Sequence, residues 1–255
     1  MAAEHITPTT ELRGRLMGPR CAYAATVEVA YPFRPLLRRP EGLADLTVRA
    51  VIPEPSLWEP SCPFLYGGTV ELWEDGVRCD QAPIRRGLRR VLLGSAGLRV
   101  SGEPLVLRGR TATECDEDAA ASLRRGGVNL LLTVAAGSPA ALWDVADRQG
   151  FFVLGRLNDW RDASLKSAVA LSGHPSCLGW LLPPGAHDAA AVVRRLNRQA
   201  LVGVELDEAP RDPLPTGVNF IACPSGLADG LRPLGLPVLL LDAGPASPGA
   251  FGTVE

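Results

Sequence analysis

The sequence predicts a multidomain β + α/β chain: a sheet-rich region over residues 21–96 and a β/α repeat over residues 97–255, behind a flexible polar tail over residues 1–20. Three observations carry this. From Leu105 to Leu241, short apolar runs take turns with helically spaced apolar positions, the pattern of parallel strands joined by helices. Upstream of Ala96 the apolar residues alternate instead, as in Val27, Val29 and Tyr31 or Leu46, Val48, Ala50 and Ile52, which is how half-buried strands read. Residues 1–20 are polar and carry Pro8 and Pro19, as loosely ordered termini do.

In the sheet-rich region, YPFRPLLRRPEG is a proline-rich turn region between the first two strands. Val70 and Leu72 then alternate towards Trp73, and Glu74-Asp75-Gly76 is a turn signal before the chain returns over residues 83–93. The repeat opens with the apolar run 105–107 and a polar-faced helix over 116–125. Gly126-Gly127 stops that helix, since glycine takes the left-handed conformation without steric cost. Residues 128–133 are unbroken apolar sequence up to Thr133 apart from Asn129, as suits a strand covered on both faces. Pro139 opens the next helix, where a missing N–H does no harm. Its residues Ala140, Leu142, Val145 and Ala146 are helically spaced, and Gly150 ends it before a strand at 151–154. Further on, helices are expected at 162–172 and 188–199, and strands at 177–182, 202–206, 218–222 and 238–241. No eighth apolar run is legible before Glu255.

The composition narrows the function classes. A net charge of −2 leaves no electrostatic footprint for nucleic acid. No apolar run approaches the roughly 20 residues of a membrane span, and MAAEHITPTTELRGRL lacks a secretory core. Cys21, Cys62, Cys79, Cys115, Cys177 and Cys223 are far apart in sequence, so buried free thiols and a cytoplasmic location are expected. His5 and His187 have no carboxylate at ligand spacing, and there is no phosphate-cradling glycine loop or G-x-S-x-G elbow. No metal and no cofactor are expected.

Several segments carry a family resemblance. VSGEPLVLRG, RRGGVNLLLT and LWDVADRQGFFVL resemble the entry into the catalytic barrel of family 2 glycoside hydrolases, the β-galactosidase, β-glucuronidase and β-mannosidase group. LWEPSCPFLYGGTVEL and IRRGLRRV, with Gly87 and Arg89, resemble the immunoglobulin-like sandwich that precedes that barrel. The resemblance runs from roughly residue 45 to residue 244. It implies a partial immunoglobulin-like β-sandwich followed by an incomplete TIM-type (β/α) barrel, because a full barrel usually takes about 250 residues. Arg85, Arg86, Arg89 and Arg90 are read as a solvated strand edge that discourages edge pairing.

In such barrels chemistry sits at the C-terminal strand ends, and a retaining glycosidase needs a nucleophile and an acid/base carboxyl about 5–5.5 Å apart. Matched position by position, R-G-x-N-R-H-E of the family reads Arg108, Gly109, Arg110, Thr111, Ala112, Thr113 and Glu114 here. Arg108 and Glu114 persist while the asparagine and histidine positions hold threonines. At the second strand end an arginine and a histidine have become Leu132 and Ala135. At the fourth, His174, Pro175, Ser176 and Trp180 match, but Pro184 and Gly185 stand where the family has Asn-Glu. The acid/base position is therefore Gly185, and the nucleophile position is Asp242, whose bland alternative is a turn or cap residue. The resemblance implies substrate contacts at Arg108, Glu114 and Trp180. Trp58 and Trp180 are also read as scaffold, and His174 as structural. Glu205 and Asp207 end a strand and face either the barrel mouth or solvent.

Two functional readings follow. The first is a catalytically inactive relative, a binding or scaffold module whose partner is a carbohydrate, a second copy, or a protein covering the incomplete barrel. The second is an active O-glycosyl hydrolase with Asp242 as nucleophile and a displaced acid/base such as Glu114 or Glu205.

Overall fold

In the computed structural model, residues 6–36, 46–158, 162–197, 199–210, 212–242 and 250–255 are described. His5 and the second half of the proline-rich turn region lie outside them. The chain starts with β1 (Glu11–Arg20), β2 (Val29–Pro32), β3 (Arg34–Pro35), β4 (Val48–Arg49), β5 (Leu65–Glu74) and β6 (Val77–Arg86). Strands β2-β1-β5-β6 form one antiparallel sheet, and β3-β4 a two-stranded ribbon. The flexible tail expected over residues 1–20 is thus a ten-residue strand from Glu11 onward. Its alternation was hidden because glycine stands at two positions of its inward face. A Cβ on Gly14 would lie 2.1 Å from the Thr69 carbonyl oxygen, and one on Gly18 2.7 Å from the Tyr66 ring. The opposing strand can approach that closely only without side chains there.

Next come β7 (Val91–Gly94), β8 (Gly97–Val100) and β9 (Glu103–Leu105), an antiparallel meander. The domain boundary expected between residues 96 and 97 falls inside the β7–β8 hairpin. Leu98 and Val100 are buried in one cluster with barrel residues such as Leu107, Phe152 and Phe251, so the meander packs onto the barrel.

The barrel consists of β10 (Leu107–Thr111), α1 (Glu117–Arg125), β11 (Leu130–Val134), α2 (Ala140–Gln149), β12 (Phe152–Arg156), α3 (Asp162–Leu171), β13 (Cys177–Leu182), α4 (Ala190–Leu196), β14 (Leu201–Glu205), β15 (Phe220–Cys223), α5 (Ser225–Leu231), β16 (Val238–Leu240) and β17 (Ala250–Val254). All eight strands are parallel, and β10 pairs with both β11 and β17, so the barrel is closed. The expectation of an incomplete barrel is corrected. The eighth strand, AFGTV, is short, and its Gly252 has no side chain because a Cβ would lie 2.5 Å from the Leu107 Cβ. With one position blank, no apolar run shows. The barrel also fits a short chain because β14 and β15 are joined with no helix among the described residues.

Period-two alternation sorts the core. Leu130 and Leu132 of β11 point into the barrel with Phe152, Leu154, Phe220 and Leu239, whereas Leu131, Val153, Ile221 and Leu240 face the helices. Gly203 lets the Phe220 ring enter the interior, where a Cβ would lie 2.2 Å from it. Helix α1 is capped by Asp116, whose carboxylate accepts the Ala119 N–H at 2.8 Å. Gly150 closes α2 in the left-handed region at φ 78°.

Half of the cysteines are buried as expected, namely Cys115, Cys177 and Cys223; Cys79 is exposed. Cys21 and Cys62, distant in sequence, lie close enough to influence each other, the Cys62 thiol being pushed up by burial first and by Cys21 next. Burial pushes Cys177 from 9.0 up to about 12 and raises Cys115 and Cys223 as well. The unfolded thiols ionise first as pH rises. Their contribution to stability is therefore complete below pH 9 and lost as pH rises above it, for Cys177 up to about pH 12. Urea midpoints should hold steady up to pH 9 and then fall, each thiol still protonated in the fold costing about 1.4 kcal/mol per pH unit. A flat midpoint to pH 10.5 would contradict this burial.

Candidate active site at the barrel mouth

The C-terminal strand ends meet at one rim. Phe152 and Leu154 of β12 point inward, so period two carries Arg156 inward as well. There its Nε forms a short ion pair with Glu205 Oε1 at the end of β14. The Glu205 side chain is only 15% exposed and that of Arg156 34%. The sequence reading named Glu205 but missed Arg156; its signal was an arginine at inward parity closing an apolar run. On the neighbouring rim, Arg110 Nη2 lies 2.9 Å from Glu255 Oε2, both partly exposed.

Asp242 follows β16. Its carboxylate accepts the Ser225 backbone N–H at 3.0 and 3.2 Å and the Ser225 hydroxyl at 3.0 Å. Ser225 is the first residue of α5, whose N-cap, Pro224, has no side-chain group to offer. Asp242 therefore satisfies orphan donors at a helix start, where negative charge is also favoured by the helix dipole. Cys223 sits near enough that the Asp242 charge adds to burial in raising its thiol. The position expected for the acid/base is Gly185, exposed and left-handed at φ 78°, with no atom within 4 Å of where a Cβ would stand. It lies in a turn that the Ala186 N–H closes onto the Pro183 carbonyl at 3.1 Å.

The remaining expected residues do not gather here. Trp180 is wholly buried on the outer side of β13, its ring centroid 6.1 Å from that of Trp143 in the helix–barrel layer. The substrate contact implied for it is corrected to a scaffold role, since inward and outward positions alternate and β13 places it outward. Arg108 points outward too: a Cβ on Gly127, in the α1–β11 turn, would lie 3.3 Å from its Nη1. That turn precedes a strand, at the end of the barrel opposite the mouth, so Arg108 cannot contact a substrate there. Glu114 is exposed on the β10–α1 loop and makes no hydrogen bond or ion pair among the described residues. Leu132 fills the interior and Ala135 is buried, so neither offers a polar group.

A second polar cluster joins the N-terminal region to the barrel floor. His174 Nδ1 meets the buried Asp147 Oδ2 at 2.7 Å, and the Ser176 N–H donates to Asp147 Oδ1 at 3.0 Å. Trp58 Nε1 donates to the Asp147 carbonyl at 2.9 Å. His174 is thus structural, as its place before a proline suggested. Arg89 donates to the carbonyls of Pro175 (2.8 Å) and Cys177, and Arg85 pairs with Asp144 at 2.6 Å. The solvated-edge reading is corrected for these two arginines, which reach across to barrel elements. Asp144, Asp147 and His174 lie close enough to share a metal ion. Their charge is already met by Arg85 and by mutual hydrogen bonds, which does not suit a cation.

No protein-family model matches the sequence, and no curated protein matches it. Solved structures do share the fold. An FMN-binding β-glucuronidase from Facaelibacterium prausnitzii L2-6 superposes with a TM-score of 0.67 at 15% identity, over 94% of this chain and 45% of that one. A glycosyl hydrolase family 2 member from Bacteroides cellulosilyticus gives 0.69 at 16% identity, over 96% and 40%. A β-glycosidase from Bacteroides vulgatus gives 0.66 at 16% identity, over 92% and 34%. The chain spans less than half the length of each.

Proposed function

We propose that this chain is a non-catalytic relative of family 2 glycoside hydrolases, a pseudoenzyme serving as a binding or scaffold module related to carbohydrate metabolism. The N-terminal sheet corresponds to part of an immunoglobulin-like sandwich, and the active site is degenerate. The observation that carries the proposal is Gly185, a left-handed glycine in a tight turn at the position where a proton donor is required. A general acid contributes about 10²–10⁴-fold to such a reaction, and glycine has no proton to give. Two further features support it: Asp242 is engaged at the start of α5, and Glu205 is paired with Arg156.

Aryl β-glycosides are the sensitive test, because a good leaving group relaxes the need for an acid. The purified protein is expected to release no phenol above a blank from aryl β-galactoside, β-glucoside, β-mannoside or β-glucuronide. Asp242→Ala is expected to lower stability by about 0.5–2 kcal/mol, the loss of a helix cap, with no change in that blank rate. Turnover above background that vanishes in Asp242→Ala would overturn the proposal and favour the active reading.

A further inference from the structure

The N-terminal region holds a cleft remote from the barrel mouth. It opens between the sheet residues Leu16, Tyr66, Val70 and Ile84 and the facing segment bearing Val48, Ala50, Ile52 and Leu57, and has a volume of about 820 Å³. The turn before β13, residues 172–175, lines one side. That places the cleft at the N-terminal ends of the barrel strands. A volume of this size with a mainly apolar lining is typical of small-ligand sites, about 300–1,000 Å³.

Its charge is one-sided. Arg86, Arg89 and Arg90 line it, and none of its lining residues is Asp or Glu. Arg89 is committed to two backbone carbonyls. Arg86 donates through Nη1 to the Arg85 carbonyl at 2.8 Å, and neither Arg86 nor Arg90 ion-pairs with a carboxylate among the described residues. A smaller cavity of about 460 Å³ continues from Arg89, Arg90 and Gln199 and adds Arg194, again with no acidic residue in its lining. Guanidinium groups only donate hydrogen bonds, and ones without a carboxylate partner beside an apolar chamber are matched by an anion with an apolar body. A sugar, which needs acceptors as well as donors, finds no carboxylate here.

We propose that this cleft binds an amphipathic anion, an unbranched acyl or alkyl chain lying among Val48, Ala50, Ile52 and Val70 with its carboxylate or phosphate head on Arg86 and Arg90. The site does not depend on the reading of the barrel mouth. Decanoate, decyl phosphate and decanol, each titrated calorimetrically into the full chain below micelle-forming concentrations, test it. Both anions are expected to bind at one site, and decanol at least tenfold more weakly. Arg86→Gln with Arg90→Gln should weaken decanoate at least tenfold and leave decanol unchanged. These side chains are exposed, so the fold is expected to survive, which circular dichroism checks. Ala50→Trp, which fills the chamber, should abolish binding of both. Equal affinity for decanol and decanoate, decanoate binding that ignores Ala50→Trp, or no binding by the folded wild-type chain would each overturn the proposal. If decanoate binds and decyl phosphate does not, the head group is a carboxylate alone.

Discussion

Trp58→Ala is expected to destabilise the protein by about 3–5 kcal/mol, the range for removing a fully buried large aromatic ring. The indole is wholly buried and meets Phe152 edge to face, with ring centroids 5.2 Å apart. Its backbone N–H donates to Leu88 at 2.6 Å, and its Nε1 to the Asp147 carbonyl at 2.9 Å. The ring therefore belongs at once to the β4–β5 connection, to the chain leaving β6 and to the barrel floor. Gly87 is shaped to it, since a Cβ there would lie 2.9 Å from the Trp58 Cβ. Domains of this kind are stable by only about 5–15 kcal/mol, so the variant should show a large drop in urea midpoint. A midpoint unchanged from wild type would contradict the packing.

A second large loss is expected from Asp147→Ala. Its carboxylate is buried and accepts from the Ser176 N–H while meeting His174 Nδ1. Truncation leaves a buried backbone donor and an imidazole without their partner, and breaking a buried polar pair from one side costs about 3–5 kcal/mol. Asp147→Asn keeps one acceptor oxygen and should lose less. Because Trp58 donates to the backbone of residue 147, the two losses should not add. A double-mutant cycle is expected to show coupling of about 0.5–3 kcal/mol, and strict additivity would mean that the two groups act separately.

The barrel strands were legible because their inward and outward neighbours are both apolar, so β11, β12 and β13 read as unbroken runs. Where glycine replaces a side chain to admit a close neighbour, the signal vanishes. Gly14 and Gly18 hid β1, and Gly252 hid β17. The apolar pattern located Glu205 at a strand end and the family resemblance singled out Asp242, but what they do depends on Arg156 and Ser225, residues that only the fold brings to them. Trp180 shows the converse. A motif match placed it at the right strand, while the direction of its side chain followed from register, which a short run with a bulge between β12 and β13 does not declare.

Closure of the barrel by β17 also bears on how the chain folds. The β10–β17 seam pairs Leu107 with Gly252 and Gly109 with Val254, joining segments with the whole of the intervening repeat between them. The other seven strand pairs each join neighbours along the chain and can form locally with modest loop-closure entropy. The seam gains nothing until all of them stand in place, so it belongs to the late, non-local part of the folding reaction, the part that slows folding most. Until it forms, the edges of β10 and β17 are exposed strand edges open to pairing with another molecule. The native barrel has none.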